Sequence, residues 1–273
     1  MGLAEVTAVE RIALGVEYCG SGFSGWQTQP HGNTVQDVLE TALRRIAGHP
    51  LRTLCAGRTD AGVHALMQVV HFDSQVERPI SAWVRGVNSW LPDRVAARWA
   101  KHVDGEFHAR FSAEARHYRY VLFNHALRPA LASGRAGWYH RPLEVAPMRK
   151  AAQLLVGEHD FSSFRAAECQ AKTPIKQLQL AEIERHGDYV VFDFRATAFL
   201  HHMVRNMVGA LVAVGNGGKP AEWMSEVLAS KDRSAAPPTF PPAGLYFVGA
   251  HYAERWHLPE AARIIARLPP SFP

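Results

Sequence analysis

The spacing of apolar residues along this chain switches several times between that of a strand and that of a helix, and this switching limits the folds that the chain can adopt. Apolar residues alternate with other residues from Ile12 to Tyr18, which predicts a strand with one buried face. They then recur at helical spacing from Val35 to Ile46, behind Thr34 as an N-cap and ahead of Gly48. Because strands and helices follow one another without a regular strand–helix–strand repeat, we expect an α+β protein with largely antiparallel sheets.

The same periods continue along the chain and suggest two halves, 1–105 and 106–252, followed by an arm, 253–273, to which we assign no role. A Gly-Asp pair at 187–188 predicts a tight turn between two strands of the second half. Further predicted strands are Met67–Asp73, Val95–Val103, Arg116–Asn124, Ile175–Arg185, Tyr189–Ala196 and Leu245–His251. Further predicted helices are Ile80–Leu91, Ala146–Val156, His202–Val214 and Pro220–Ser230, the last with Pro220 in its first position.

Composition excludes several classes of protein. Hydrophobic residues make up 47% of the 273 residues and no apolar run approaches the length of a membrane helix, so we expect no membrane association. The N-terminal residues lack the pattern of a secretion signal. Three widely spaced cysteines predict neither a disulfide framework nor a metal site, and a reducing cytoplasm is the expected location.

The positive charge is concentrated in one part of the chain. Residues 101–150 hold nine Lys or Arg against four acids, an excess equal to the net charge of +5. Seven of the nine are arginines, and aromatic residues are interleaved with them. This combination is typical of a surface that binds RNA with unstacked bases. A solvated charged face with core aromatics behind it is the alternative.

One carboxylate stands out, on the short stretch from Ala56 to Ala65. Asp60 lies there between two glycines, with Arg58 two residues before it and His64 four residues after it. Glycines let the backbone turn sharply, so the acid could be presented at the tip of a loop. A surface turn in which the Asp bonds its own backbone is the alternative.

Two residues of the second half are candidates to act with this acid. Arg205 lies in a helix that is apolar on nearly every side, so its guanidinium needs a carboxylate such as Asp60 unless it reaches water near the helix start. Tyr118 shares a predicted strand with arginines, and its ring could face a base or the core. We expect no metal at His201 and His202, because neighbouring positions on a helix point in different directions.

Taken together, these segments resemble the tRNA pseudouridine synthase A family (the TruA-type enzymes) from about Ile12 to Tyr252. Several ordered motifs at matching spacing carry the resemblance. They are Gly20–Gln27, Thr34–Gln36, Gly57–Ala65, Phe107–Phe111, Tyr118–Tyr120, Asp160–Phe164, Cys169–Gln170, His201–Met207 and Pro241–Tyr246. One departure is Cys19, where the family usually has an acid, which puts only a local loop contact in doubt.

The resemblance implies the pseudouridine synthase fold, in which two α/β halves with largely antiparallel sheets are joined around a central basic cleft. It implies an isomerase that converts uridine to pseudouridine at positions 38, 39 and 40 of the tRNA anticodon stem-loop. The expected partners are tRNA and a second copy of the chain in a homodimer. No cofactor and no metal are expected.

The resemblance also implies roles for particular residues. Asp60 would be the nucleophile, Tyr118 would stack on the target uracil, and Arg205 would pair with Asp60. Arg58 would fill the gap left by the flipped nucleotide, and Leu245 would contact the substrate. The residues expected to touch RNA are Arg78, Phe107, His108, Ala109, Arg110, Phe111, Tyr139, Glu168, Cys169, Gln170, Ala171 and Lys172.

Two other functions are compatible with parts of the sequence. A catalytically silent RNA-binding relative would keep its tRNA binding when Asp60 is replaced by Asn. A nucleosidase or glycosidase would normally need a second acid beside the first. The Asp60 loop supplies none, so this function ranks last.

Overall fold

The computed structural model describes residues 9–259 and shows a mixed α/β protein whose strands pair mostly antiparallel. The strands are β1 Glu10–Tyr18, β2 Leu54–Cys55, β3 His64–Ser74, β4 Val95–Val103, β5 Ala113–Asn124, β6 Gly137–Tyr139, β7 Gly157–Asp160, β8 Ile175–His186, β9 Tyr189–Ala196 and β10 Leu245–Tyr252. The α-helices are α1 Val35–Ala47, α2 Val145–Gln153, α3 Met203–Gly215 and α4 Trp223–Ser230. Within the described residues, no helix has the length and apolar character needed to cross a membrane.

The chain forms two compact units. The first contains the described residues of Met1–Glu114 and Gly249–Ile264, and the second contains Ala115–Val248. The predicted arm therefore begins within the first unit as far as it is described, with a single 3₁₀ turn at Glu254–Trp256. The predicted halves, with their boundary at residue 105, stay a prediction.

In the first unit, β1 pairs antiparallel with β4 on one side and β3 on the other, and β2 pairs with β3. Ile12, Leu14 and Val16 are fully buried, as predicted, but Ala13 between them is fully buried as well, so the middle of β1 is buried on both faces instead of one. The predicted helix is present as α1. The side chain of Thr34 accepts from the Asp37 N–H at its start, and Gly48 ends it in the left-handed conformation at φ 80°.

The predicted helix at 80–91 is helical from residue 80 to residue 88, but its middle is a π-helix at Ala82–Gly86. Trp83 and Val87 are fully buried. The wider turn changes the hydrogen-bonding ladder while keeping an apolar face, and the spacing of apolar residues does not reveal it.

In the second unit, the strand order is β5, β9, β8, β7, all antiparallel, with β6 parallel to β5. The predicted hairpin is confirmed, with residues 187–188 turning between β8 and β9. Helix α3 is buried on nearly every side, also as predicted. Helix α4 begins three residues later than predicted. The Trp223 and Met224 N–H groups donate to the Pro220 and Ala221 carbonyls, three residues back. Residues 220–222 therefore form a tighter turn that precedes the α-helix.

Candidate active site

Asp60 lies on a tight loop of the first unit, immediately before β3. The Val63 N–H donates to the Asp60 carbonyl at 3.1 Å, and Gly62 takes a φ of 79° that favours glycine. Asp60 is half-buried and Arg58 is exposed. The sequence therefore predicted the loop correctly. The loop therefore presents the Asp60 carboxylate and the Arg58 guanidinium two residues apart.

The motif Gly20–Gln27, which follows β1, is hydrogen-bonded to the Asp60 loop. The Trp26 N–H donates to the Thr59 carbonyl at 3.0 Å, and the Gly62 N–H donates to the Phe23 carbonyl at 3.3 Å. Trp26 is itself buried, with 1% of its surface exposed. The two glycine-containing motifs thus form one structure.

Two close contacts complete that structure. A Cβ at Gly20 would lie 2.0 Å from the Val63 carbonyl oxygen, so no larger residue fits without a backbone shift. The Gly20 N–H donates to Nδ1 of His64 at 3.1 Å. His64 is 2% exposed, and its acceptor nitrogen serves the loop. His64 is therefore a structural residue rather than an exposed acid–base group.

Tyr118 lies on β5 in the second unit and is 9% exposed. Its ring meets the edge of Phe199 at a centroid distance of 5.0 Å and is tilted against Phe247 at 5.1 Å. Its backbone is opposite Phe194 on β9. The ring is thus fixed on two sides by aromatic neighbours, and only a small fraction of it is exposed.

The arginines beside Tyr118 form hydrogen bonds to other residues of the second unit. Arg119 donates to the Asp193 carboxylate at 3.0 Å, and His117 contacts the same carboxylate at 2.7 Å. Burial raises the pKa of Asp193, but these hydrogen bonds outweigh it and hold the pKa below its usual value. Arg116 donates to the Thr197 carbonyl at 2.9 Å. These side chains stiffen β5 and β9 rather than forming a free basic stripe.

Arg205 is the third residue of α3 and is half-buried. Its Nε donates to the Phe240 carbonyl at 2.7 Å, and the Phe240 N–H returns a bond to the Arg205 carbonyl at 3.3 Å. Burial raises the pKa of the neighbouring Tyr120 hydroxyl, while the charge of Arg205 opposes that rise. The guanidinium is thus oriented by the proline-rich segment before β10. Its pairing with Asp60 stays a prediction.

The next residue of α3 strengthens this arrangement. Asn206 is fully buried and donates to the Phe164 carbonyl at 2.8 Å. Its Oδ1 accepts from Arg233 at 3.1 Å and from the Thr239 hydroxyl at 2.7 Å. One amide therefore ties α3 to two neighbouring segments.

His201 and His202 precede α3 instead of lying within it. His202 is the N-cap in the left-handed conformation, at φ 61°. The two imidazole rings lie against each other, tilted by 37°, with centroids 4.0 Å apart. The expectation that they point in different directions was wrong, because it assumed helical geometry at both positions.

The segment Phe107–Phe111 contains both buried and exposed side chains. Phe107 and Ala109 are fully buried, and the Phe107 ring contacts Tyr252 at 5.4 Å and Trp256 at 5.2 Å. Arg110 is exposed, and its guanidinium lies 5.6 Å from the centre of the Phe111 ring, which is 76% exposed. The exposed members, not Phe107 or Ala109, are the side chains that RNA could reach from this segment.

The other expected RNA contacts are spread over both units. Arg78 is exposed, and its Nε donates to the Ile46 carbonyl at 3.2 Å. The Tyr139 hydroxyl accepts from Asn216 at 2.6 Å. Within 168–172, Glu168, Gln170 and Lys172 are exposed, whereas Cys169 and Ala171 are half-buried. The carbonyls of Cys169 and Ala171 accept from Arg165, which fixes the turn.

Leu245, the first residue of β10, is 5% exposed. Three buried polar residues beside these loops and helices carry hydrogen bonds that the sequence did not predict: Tyr18, Gln68 and Asn206. Gln68 and Asn206 interrupt otherwise apolar stretches. A buried polar side chain needs a partner, so that interruption was a usable signal.

Nearly the whole chain is similar to known proteins of one family. A family model described as tRNA pseudouridine synthase matches residues 15–112 and 151–253. Proteins named tRNA pseudouridine synthase A from Dechloromonas aromatica and Thiobacillus denitrificans are each 59% identical to it, over 92% of this chain and 95% and 97% of their own lengths. The protein of that name from Aromatoleum aromaticum is 60% identical over 93% of this chain.

Proposed function

Because this chain belongs to the tRNA pseudouridine synthase family, we propose that it isomerises uridine to pseudouridine at positions 38, 39 and 40 of the tRNA anticodon stem-loop. The family membership carries the conclusion that it is an isomerase that modifies tRNA. The choice of the anticodon stem-loop rests on the resemblance of its motifs to the TruA-type enzymes.

The reaction breaks the bond between uracil N1 and ribose C1′ and forms a bond between C5 and C1′. The C5 proton is lost and N1 gains one, so substrate and product have the same composition and no oxidant is consumed. Asp60 is the proposed nucleophile. Attack on the ribose and attack on the uracil ring are both compatible with one ionised carboxylate. The support is an acid held on a constrained loop that also carries an exposed arginine.

A uridine within a stem must leave the stack before a carboxylate can reach it, at a cost of a few kcal/mol. We assign Arg58 to fill the vacated position and Tyr118 to stack on the flipped base, which offset that cost. Arg205 is assigned to pair with Asp60, and Leu245 to line the base site. Arg110, Phe111 and the exposed residues of 168–172 are assigned to contact tRNA.

We further propose that the protein acts as a homodimer in the cytoplasm. The homodimer rests on the family resemblance, and the cytoplasmic location rests on the cysteine content of the chain. Sedimentation at micromolar concentration tests the first, with a single monomeric species as the contradicting result.

The deciding experiment measures pseudouridine in an unmodified tRNA transcript that carries U38, U39 and U40. Wild type is compared with Asp60→Asn and with Asp93→Asn, a matched change at an exposed carboxylate. Activity is expected in wild type and Asp93→Asn and none in Asp60→Asn, with tRNA binding kept in all three. Binding without activity in wild type would instead identify an RNA-binding relative.

A further inference from the structure

The floor of the Asp60 loop is polar, although it is buried. Gln68 on β3 is fully buried, and its Nε2 donates to the Gly57 carbonyl at 2.6 Å. In return, the Gly57 N–H donates to Gln68 Oε1 at 3.4 Å. The side-chain amide thus pairs with the loop backbone as a neighbouring strand would.

A second buried bond lies two residues along the loop. The hydroxyls of Tyr18 and Thr59 are 2.8 Å apart, and these residues are 2% and 7% exposed. The Tyr18 hydroxyl also interacts with the side chain of Gln68. Burial raises the pKa of this phenol, so it stays protonated and can act as a donor. Tyr18 and Gln68 therefore form one network beneath the loop.

The loop residues held by these hydrogen bonds are direct sequence neighbours of Arg58 and Asp60. Gly57 and Thr59 flank Arg58, and Thr59 immediately precedes Asp60. Apolar side chains of similar volume could fill the same space, but they would leave the Gly57 backbone groups and the Thr59 hydroxyl without these partners. A fully satisfied polar network instead defines one geometry for the groups it holds.

We propose that Tyr18, Gln68 and Thr59 form a positioning network that sets the placement of Asp60 and Arg58 for the isomerisation. The inference rests on the proposed function of those two residues. None of the three acts on the substrate. They act through the backbone of residues 57–60, because a reacting group displaced by about 1 Å can lose on the order of a hundredfold in rate.

The test removes one hydroxyl at a time. Thr59→Val and Tyr18→Phe each keep the volume of the side chain but break the bond. We expect kcat for pseudouridine formation to fall roughly tenfold to a hundredfold, with KM for tRNA within about threefold. Thr59→Ser keeps the hydroxyl and should retain kcat within about threefold. The double variant should be little worse than the poorer single variant, because both changes break the same bond.

Thr53→Val is the matched control. Thr53 is 2% exposed in the same unit, and its hydroxyl donates to Glu40 at 2.9 Å, away from the loop. Thr53→Val and Thr59→Val should lower the thermal midpoint by a similar amount, about a few degrees, but Thr53→Val should keep the wild-type kcat. Equal kcat values for Thr59→Val and Thr53→Val would overturn the proposal.

A second measurement does not depend on activity. Backbone hydrogen exchange in a peptide covering residues 56–62 should speed up at least tenfold in Thr59→Val and Tyr18→Phe and stay unchanged in Thr53→Val. Unchanged exchange in all three variants would also overturn the positioning role. Absence of pseudouridine formation by the wild-type protein would overturn the proposed function instead, and hydrogen exchange would then decide alone whether the network holds the loop.

Discussion

A buried histidine on β3 gives this protein a defined loss of stability in mild acid. His71 is 2% exposed, and its Nδ1 accepts from the Ala109 N–H at 3.1 Å. That nitrogen cannot carry a proton while it accepts, so the folded state holds the ring neutral. Burial, with smaller contributions from nearby His108 and Arg11, lowers the pKa of His71 to about 4.

The magnitude follows from the difference between the folded and unfolded states. The pKa of an unfolded histidine is about 6.5, so above that pH neither state is protonated and stability does not change. As pH falls below 6.5, the unfolded state binds a proton before the folded state does, and the free energy of unfolding decreases until about pH 4. With the pKa lowered to about 4, His71 removes about 2 kcal/mol between pH 7.5 and pH 5.

Urea unfolding of wild type and His71→Gln at these two pH values isolates this contribution. The glutamine oxygen can accept the same N–H but does not titrate, so wild type should lose about 2 kcal/mol more than the variant. His31→Gln, at an exposed position, should behave as wild type. Equal losses for wild type and His71→Gln would refute the reasoning.

Three further outcomes are expected. Asn206→Leu should cost about 2–4 kcal/mol by urea unfolding, because it leaves buried partners without hydrogen bonds; a loss below about 1 kcal/mol would contradict this. Gly20→Ala should reduce both kcat and stability because its Cβ would meet the Val63 carbonyl, whereas Gly105→Ala, with open space around it, should change neither. The affinity for tRNA should fall steeply as salt rises, and Arg110→Ala should reduce the slope by about one unit; a flat salt response would argue against a basic docking surface.

The periodicity of the sequence determined most of the elements of this fold. The positions of α1, β4 and β9 agree with those predicted to within one residue or better. These features follow from side-chain spacing and capping, which act over a few residues and can be read locally. The loop that presents Asp60 was predictable for the same reason, because its glycines lie within three residues of the acid.

Other features depend on which distant segments meet. The short strands β6 and β7 exist because β5 and β8 offer them backbone partners, and sequences of three or four residues carry no periodicity of their own. The burial of Phe107 likewise depends on Tyr252 and Trp256, far away in the chain.

The sequence by itself thus determined the α+β class, the family and the candidate residues. Only the tertiary structure decided that Gln68 and Tyr18 lie beneath the Asp60 loop and that Asn206 ties α3 to two neighbouring segments. The physical reason is that a buried polar group is defined by its hydrogen-bonding partner, and the chain places that partner tens of residues away.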